Sequence, residues 1–172
     1  MDKRAKIDLD NYLPYLVNRV GSIIAEQFGV EALADYGLSI AMWRVMAVLA
    51  SNGAQRQIDL AGLTSIDAST LSRLVSRLIR MGVVTRTRSA SSTREVIVKL
   101  TAKGQGQVDR LIPIAIDYET MAAAGLSPEE LAALKQALRR VFANMKNRPA
   151  VARSSGRPAG RHRPRAEAAP AE

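Results

Sequence analysis

Apolar residues recur at helical spacing over Asp10–Phe28, where Leu13, Leu16, Val17, Val20, Ile24 and Phe28 share one side and predict a first helix. Pro14 is tolerable there because it falls near the first turn. Ser39 is placed to cap a second helix from Ile40 to about Ser51, and Asn52-Gly53 marks its stop. Ile58, Leu60, Ala61 and Leu63 predict a short third helix over Gln57–Leu63. Thr64-Ser65-Ile66 then links it tightly to a fourth, capped by Asp67, that runs from Ala68 to Met81 and ends at Gly82. At that point the pattern changes from helical spacing to alternation. Val83–Arg88 and Arg94–Leu100 predict two strands, the second with Val96, Val98 and Leu100 on one face and Glu95, Ile97 and Lys99 on the other. The small polar run Ser89-Ala90-Ser91-Ser92-Thr93 between them makes a β-hairpin with an extended tip.

Thr101 opens a long helix to about Ala123, which Pro113 is expected to kink and Gly125 to end. Ser127-Pro128-Glu129-Glu130 has the form of a capping box with proline at the first helical position. Leu131, Leu134, Leu138, Val141 and Met145 give the last helix, up to Lys146, a stripe close to a heptad seam. Beyond it Pro, Gly, Ala, Ser and Arg dominate without apolar periodicity, so the segment from Asn147 is expected to be a disordered basic tail.

Two short helices, a tight link and a hairpin, in that order, make a winged helix-turn-helix. The expected fold is therefore mainly α, with that unit in the middle of the chain. The fourth helix has the chemistry of a recognition helix. Leu71, Leu74, Val75 and Leu78 form one face, and Ser69, Arg73, Ser76, Arg77 and Arg80 the other, with Thr70 and Ser72 beside it. Arginine can donate two hydrogen bonds to guanine, serine and threonine fit closely against bases, and the helix N-terminus favours a phosphate. Residues at the N-terminal end reach bases in such a helix. Ser69, Thr70, Ser72 and Arg73 are accordingly assigned to bases, and Arg77 and Arg80 to phosphates.

A solvated helix normally mixes acids with its bases. From Ala68 through Arg94 there is no Asp or Glu, and there are six arginines. Arg86, Arg88 and Arg94 flank the hairpin tip, where they can either enter a minor groove or lie along phosphates.

Composition narrows the alternatives. The chain of 172 residues carries a formal charge of +9, of which the segment from Asn147 onward supplies +4 and the preceding residues +5. It has no cysteine, which excludes disulfides, thiolate metal sites and thiol switching. Its one histidine, His162, lies in the tail, so a histidine-rich metal site is not expected and no cofactor is implied. No apolar run approaches a membrane span, and no phosphate-loop, dinucleotide or zinc-protease motif occurs, so neither a membrane protein nor an enzyme is expected.

Aligned in order, these pieces resemble the MarR family of bacterial transcriptional regulators, from roughly Leu9 to Met145. The resemblance is carried by Leu38-Ser39-Ile40-Ala41-Met42-Trp43-Arg44-Val45, by Ser69-Thr70-Leu71-Ser72-Arg73-Leu74-Val75, and by Leu78-Ile79-Arg80-Met81-Gly82-Val83-Val84. Val96-Ile97-Val98-Lys99-Leu100-Thr101-Ala102-Lys103-Gly104 and Leu126-Ser127-Pro128-Glu129-Glu130-Leu131 complete it. The family pattern implies a homodimer built from the terminal helices and bound to double-stranded DNA, normally as a repressor. That organisation assigns 1–37 and 101–146 to dimerisation, 38–100 to DNA and 147–172 to the tail. It also implies a cytoplasmic, nucleoid-associated protein. The wing departs from the family's Asp-x-Arg: Ser92-Thr93-Arg94 keeps the arginine without the aspartate, so a looser tip is expected.

The resemblance further implies a small aromatic or phenolic ligand as effector. Tyr12, Tyr15, Arg19, Tyr36, Trp43, Arg44 and Tyr118 are the candidates to line its pocket, by sandwiching a ring and pairing its carboxylate, or else these rings are ordinary packing. An effector-independent or architectural DNA-binding protein that uses the arginines of the tail on phosphates is the alternative.

Overall fold

A computed structural model of the chain describes residues 6–88 and 95–147. It is divided into two compact units, Met1–Gly125 and Leu126–Glu172. The first holds α1 (Leu13–Phe28), α2 (Ile40–Asn52), β1 (Gln55–Arg56), α3 (Gln57–Thr64), α4 (Ala68–Arg80), β2 (Val84–Arg88), β3 (Val96–Leu100) and α5 (Ala102–Ala122), and the second holds α6 (Pro128–Lys146). The fold is mainly helical, with a small antiparallel sheet in the order β1-β3-β2.

The first helix begins at Leu13, the first residue of its apolar stripe, and not at the expected Asp10. Leu9–Asn11 is a separate 3-10 turn capped by the Asp8 carboxylate, which accepts from the Asp10 amide at 3.2 Å and the Asn11 side chain at 2.6 Å. Tyr12 is extended, and α1 starts at Leu13 with Pro14 in its first turn. A helix continuous from Asp10 would need an amide hydrogen that Pro14 lacks, and would drive its ring into the Asp10 carbonyl. Past Phe28 the chain stays helical in other forms, as a π turn over Gly29–Leu33 and a 3-10 turn over Ala34–Tyr36, until Gly37 turns left-handed at φ 63°.

α2 is the centre of the core. Ser39 caps it through Met42, and Met42, Val45, Met46 and Leu49 are buried along one stripe. Leu60 of α3, Leu71, Val75 and Leu78 of α4, Val98 of β3, and Val108 and Leu111 of α5 close around it. No single helix among the described residues is long and apolar enough to cross a membrane.

α3 ends at Thr64, and Ser65 takes the left-handed conformation at φ 55° while its amide donates to the Ala61 carbonyl. An L-residue there is strained by about 1–2 kcal/mol, so Ser65→Gly is expected to raise stability by about 0.5–1 kcal/mol after glycine's greater unfolded freedom is counted. A higher urea midpoint at unchanged slope is the predicted readout, and a lower one would contradict it. Asp67 then caps α4, accepting from the Thr70 amide at 2.9 Å and the Ser69 hydroxyl at 2.7 Å. Those bonds, the Thr70 amide foremost, hold its carboxyl far below the usual carboxylate range.

The hairpin pairs Val84 with Leu100, Arg86 with Val98 and Arg88 with Val96. A third strand, β1, joins the two that the alternation predicts. It sets Gln55 opposite Val98 and Arg56 opposite Ile97, and a strand of two residues is too short to show a period. The expected tip, Ser89–Arg94, lies outside the described residues, as does the tail from Arg148.

α5 runs from Ala102 to Ala122 through Pro113. Its first turn clamps the turn between α4 and β2. The Thr101 amide donates to the Val83 carbonyl at 3.1 Å, its hydroxyl to the Gly82 carbonyl at 2.7 Å, and the Lys103 ammonium to the Met81 carbonyl at 2.9 Å. The end of α4 and the base of the hairpin are thereby fixed to α5. In α6, Ser127 and Glu130 form the reciprocal capping box expected of them.

Candidate nucleic-acid interface and adjoining cleft

On α4 the inner face is Leu71, Val75 and Leu78, all buried, with Leu74 half-buried. Ser69, Arg73, Arg77 and Arg80 are exposed, and Thr70, Ser72 and Ser76 are half-buried beside them. Thr70, Ser72, Arg73, Ser76, Arg77 and Arg80 line one shallow depression along the helix. Two of the short polar groups are already committed: the Ser69 hydroxyl donates to Asp67, and the Ser76 hydroxyl donates to the Ser72 carbonyl at 2.9 Å. They can still accept from a nucleic acid, while the guanidinium groups supply the donors.

Arg86 and Arg88 are exposed on β2, on the same side of the strand as buried Val84. That side belongs to the core at the base of the hairpin and becomes a cationic surface toward its outer half. Arg94 lies outside the described residues. The acid-free stretch closes at Glu95, whose carboxylate meets Arg56 at 3.2 Å; Arg56 also grips Asp59 at 2.6 Å. The nearest acid on the wing is thus held by a cation of its own.

The candidate effector residues separate. Trp43, Arg44 and Tyr118 come together in a cleft of about 400 Å³ between α1, α2 and α5, with Phe28, Ile24, Ala25, Ile40, Ala115 and Glu119 among its other walls. Tyr12, Tyr15, Arg19 and Tyr36 do not line it. Tyr12 stands exposed at the start of α1, Arg19 lies over the Tyr15 ring at 5.6 Å, and Tyr36 is packed against the core. Phe28, absent from the sequence-derived set, is the hub. Its ring centroid is 5.7 Å from that of Trp43 and 5.3 Å, edge-on, from that of Tyr118.

The Tyr118 hydroxyl donates to the Glu31 carboxylate in the π turn, and that bond, with desolvation and the carboxylate's charge, pushes the phenol up to about 12. Because the folded chain holds this proton more tightly than the unfolded chain, the contact stabilises fully below the ordinary value of 10. Its contribution is lost as pH climbs through about 12. Glu31→Gln is expected to return Tyr118 toward 10, read from phenolate absorbance in an alkaline titration; an unmoved titration would contradict the assignment.

Arg44 extends beyond the cleft. Its Nη1 donates to the Thr64 main-chain carbonyl, at the end of α3, over 3.4 Å.

Helix α3, tight turn and helix α4, followed by the β2–β3 hairpin to which β1 adds a third strand, and fixed by α5, define the winged helix-turn-helix fold. Residues 38–96 match the model of the MarR family. The HTH-type transcriptional repressor Rv2887 of Mycobacterium tuberculosis is 24% identical over 132 residues, 77% of this chain and 94% of the relative. A MarR-family transcriptional regulator from Silicibacter pomeroyi superposes with a TM-score of 0.74 at 29% identity, over 85% of this chain and 98% of that one. BpsR of Bordetella bronchiseptica, whose DNA binding is regulated by 6-hydroxynicotinic acid, gives a TM-score of 0.69 at 25% identity, over 76% and 98%. Over residues 38–96 the chain is thus similar to the MarR family, and the relatives and structures it resembles along most of its length are transcriptional regulators and not enzymes.

Proposed function

We propose that the protein is a homodimeric repressor that binds a pseudo-palindromic operator in double-stranded DNA and is released by a small aromatic acid. The observation that carries this reading is the exposed arginine surface of α4 and β2, with no carboxylate between Asp67 and Glu95. Arg73, with Ser69, Thr70 and Ser72, reads base edges; Arg77 and Arg80 hold phosphates; and Arg86, Arg88 and Arg94 carry the wing onto the neighbouring groove or backbone.

Pairing of two chains is supported by large apolar side chains that remain exposed. Leu13, Leu16, Val17, Val20 and Ile23 of α1 and Ile112 and Ile116 of α5 are exposed in the first unit. Leu134, Leu138, Phe142 and Met145 of α6 are exposed in the second. A two-fold pair sets the recognition helices about one helical turn of DNA, ~34 Å, apart. Release by an aromatic acid is supported by the Phe28–Trp43–Tyr118 cleft with Arg44 at its wall, and by the ligand regulation of BpsR. Repression is supported by the name of the mycobacterial relative. Such a protein works in the cytoplasm on the nucleoid.

Sequencing the genomic fragments that the protein retains tests this reading. An inverted repeat with half-sites one turn apart is expected, and an asymmetric motif, or none, would contradict it.

A further inference from the structure

Arg44 stands between two parts of the first unit with different tasks. It lines the cleft beside Trp43, with Phe28, Tyr118 and Glu119 on the other walls, and it is the single cation among the described lining residues. It also donates through Nη1 to the Thr64 carbonyl. Thr64 is 1% exposed and its hydroxyl already donates to the Leu60 carbonyl at 2.5 Å, so the residue is held from within α3. Its carbonyl, among the last of that helix, has no intrahelical donor. Left-handed Ser65 follows directly, and Asp67, the cap of α4, comes two residues later. The carbonyl that Arg44 holds therefore belongs to the link that sets α4 against α3.

We infer that Arg44 couples the cleft to the recognition helix: with the cleft empty its guanidinium holds the Thr64 carbonyl, and an aromatic carboxylate in the cleft takes the guanidinium away. The inference rests on the ligand reading of the cleft and deepens it. Three aromatic rings around one cation select a planar aromatic anion over an aliphatic one or a cation. A carboxylate takes two short, charge-assisted bonds from the planar guanidinium, whereas the Thr64 carbonyl holds it by one bond at 3.4 Å. The fork is rigid, so turning two N–H groups onto the carboxylate carries Nη1 off the carbonyl. The link before α4 then loses a restraint, and DNA affinity falls. By linkage, DNA weakens the ligand by the same factor.

The chain reports on its own cleft, because Trp43 is its one tryptophan. Benzoate and its neutral counterpart benzamide are titrated into the full-length protein, following Trp43 fluorescence for occupancy and affinity for a retained genomic duplex for coupling. Both probes are expected to quench Trp43. Benzoate alone is expected to weaken DNA binding, by about fivefold or more. In Arg44→Ala, benzamide still quenches Trp43, which shows the cleft is intact, while benzoate no longer changes DNA affinity. Benzamide releasing DNA as well as benzoate does, or benzoate releasing DNA from Arg44→Ala, overturns the coupling role and leaves the cleft a ligand site. Failure of either probe to quench Trp43 overturns the ligand reading and this inference with it.

Discussion

Arg73→Ala is expected to weaken binding to the operator by about 1–3 kcal/mol while binding to unrelated duplex falls much less. Arg73 is exposed in the N-terminal half of α4, between one and two turns past the Asp67 cap, in the part of a groove-bound helix whose side chains meet base edges. A guanidinium set against a guanine makes two hydrogen bonds that no other base offers in that geometry, and their loss is felt at that base pair. Arg77 lies one turn further on and is assigned to a phosphate, so Arg77→Ala should lower affinity for all duplexes alike and reduce the salt slope by about one. The contrast between the two variants, read as operator and random-duplex affinities over a salt series, is the test. An Arg73 variant that loses equally on every sequence would remove the base-reading assignment. Equal affinity of both variants and the parent would remove α4 from the interface.

Gly104→Ala is expected to destabilise the fold by about 3 kcal/mol, at the upper end of overpacking changes, although alanine is the better helix former. The reason is the close approach of the first turn of α5 to the turn after α4. A β-carbon on Gly104 would stand 1.9 Å from the Val83 carbonyl oxygen and 2.9 Å from its carbon. Both are main-chain atoms, so no side-chain rotation relieves the contact. The same stretch accepts from the Thr101 amide, the Thr101 hydroxyl and the Lys103 ammonium, so moving it breaks the clamp as well. A urea midpoint lowered at unchanged slope, with operator affinity falling alongside because the base of the wing shifts, is the expected result. A midpoint at or above that of the parent would show that α5 does not press on this turn.

Most of the helical frame could be read in the sequence because its signals are local. Ser39, Asp67, Thr101 and Ser127 each cap a helix, as their place before an apolar-periodic run implies. The amphipathic split of α4 needs only the helical period, and its arginines and buried leucines lie where that period puts them. What escaped depends on partners distant in sequence or on backbone forms without a period. β1 exists because Gln55 and Arg56 meet Ile97 and Val98 across the sheet. The π turn after Phe28 follows no apolar repeat. The cleft needed tertiary contacts: Phe28, read as the end of a core stripe, is where α1 meets Trp43 of α2 and Tyr118 of α5. Tyr12 and Tyr15 have the same chemistry as Tyr118 but sit at the other end of α1. Residue type alone could not tell them apart.

Sedimentation equilibrium of the full-length protein, alone and with a short duplex carrying its retained motif in dilute buffer, tests most directly whether paired copies present their α4 surfaces to DNA. The predicted result is a dimer without DNA and two chains per duplex with it, the complex dissociating as salt is raised. A strictly monomeric chain, or a duplex that sediments free of protein at low salt, would contradict the account.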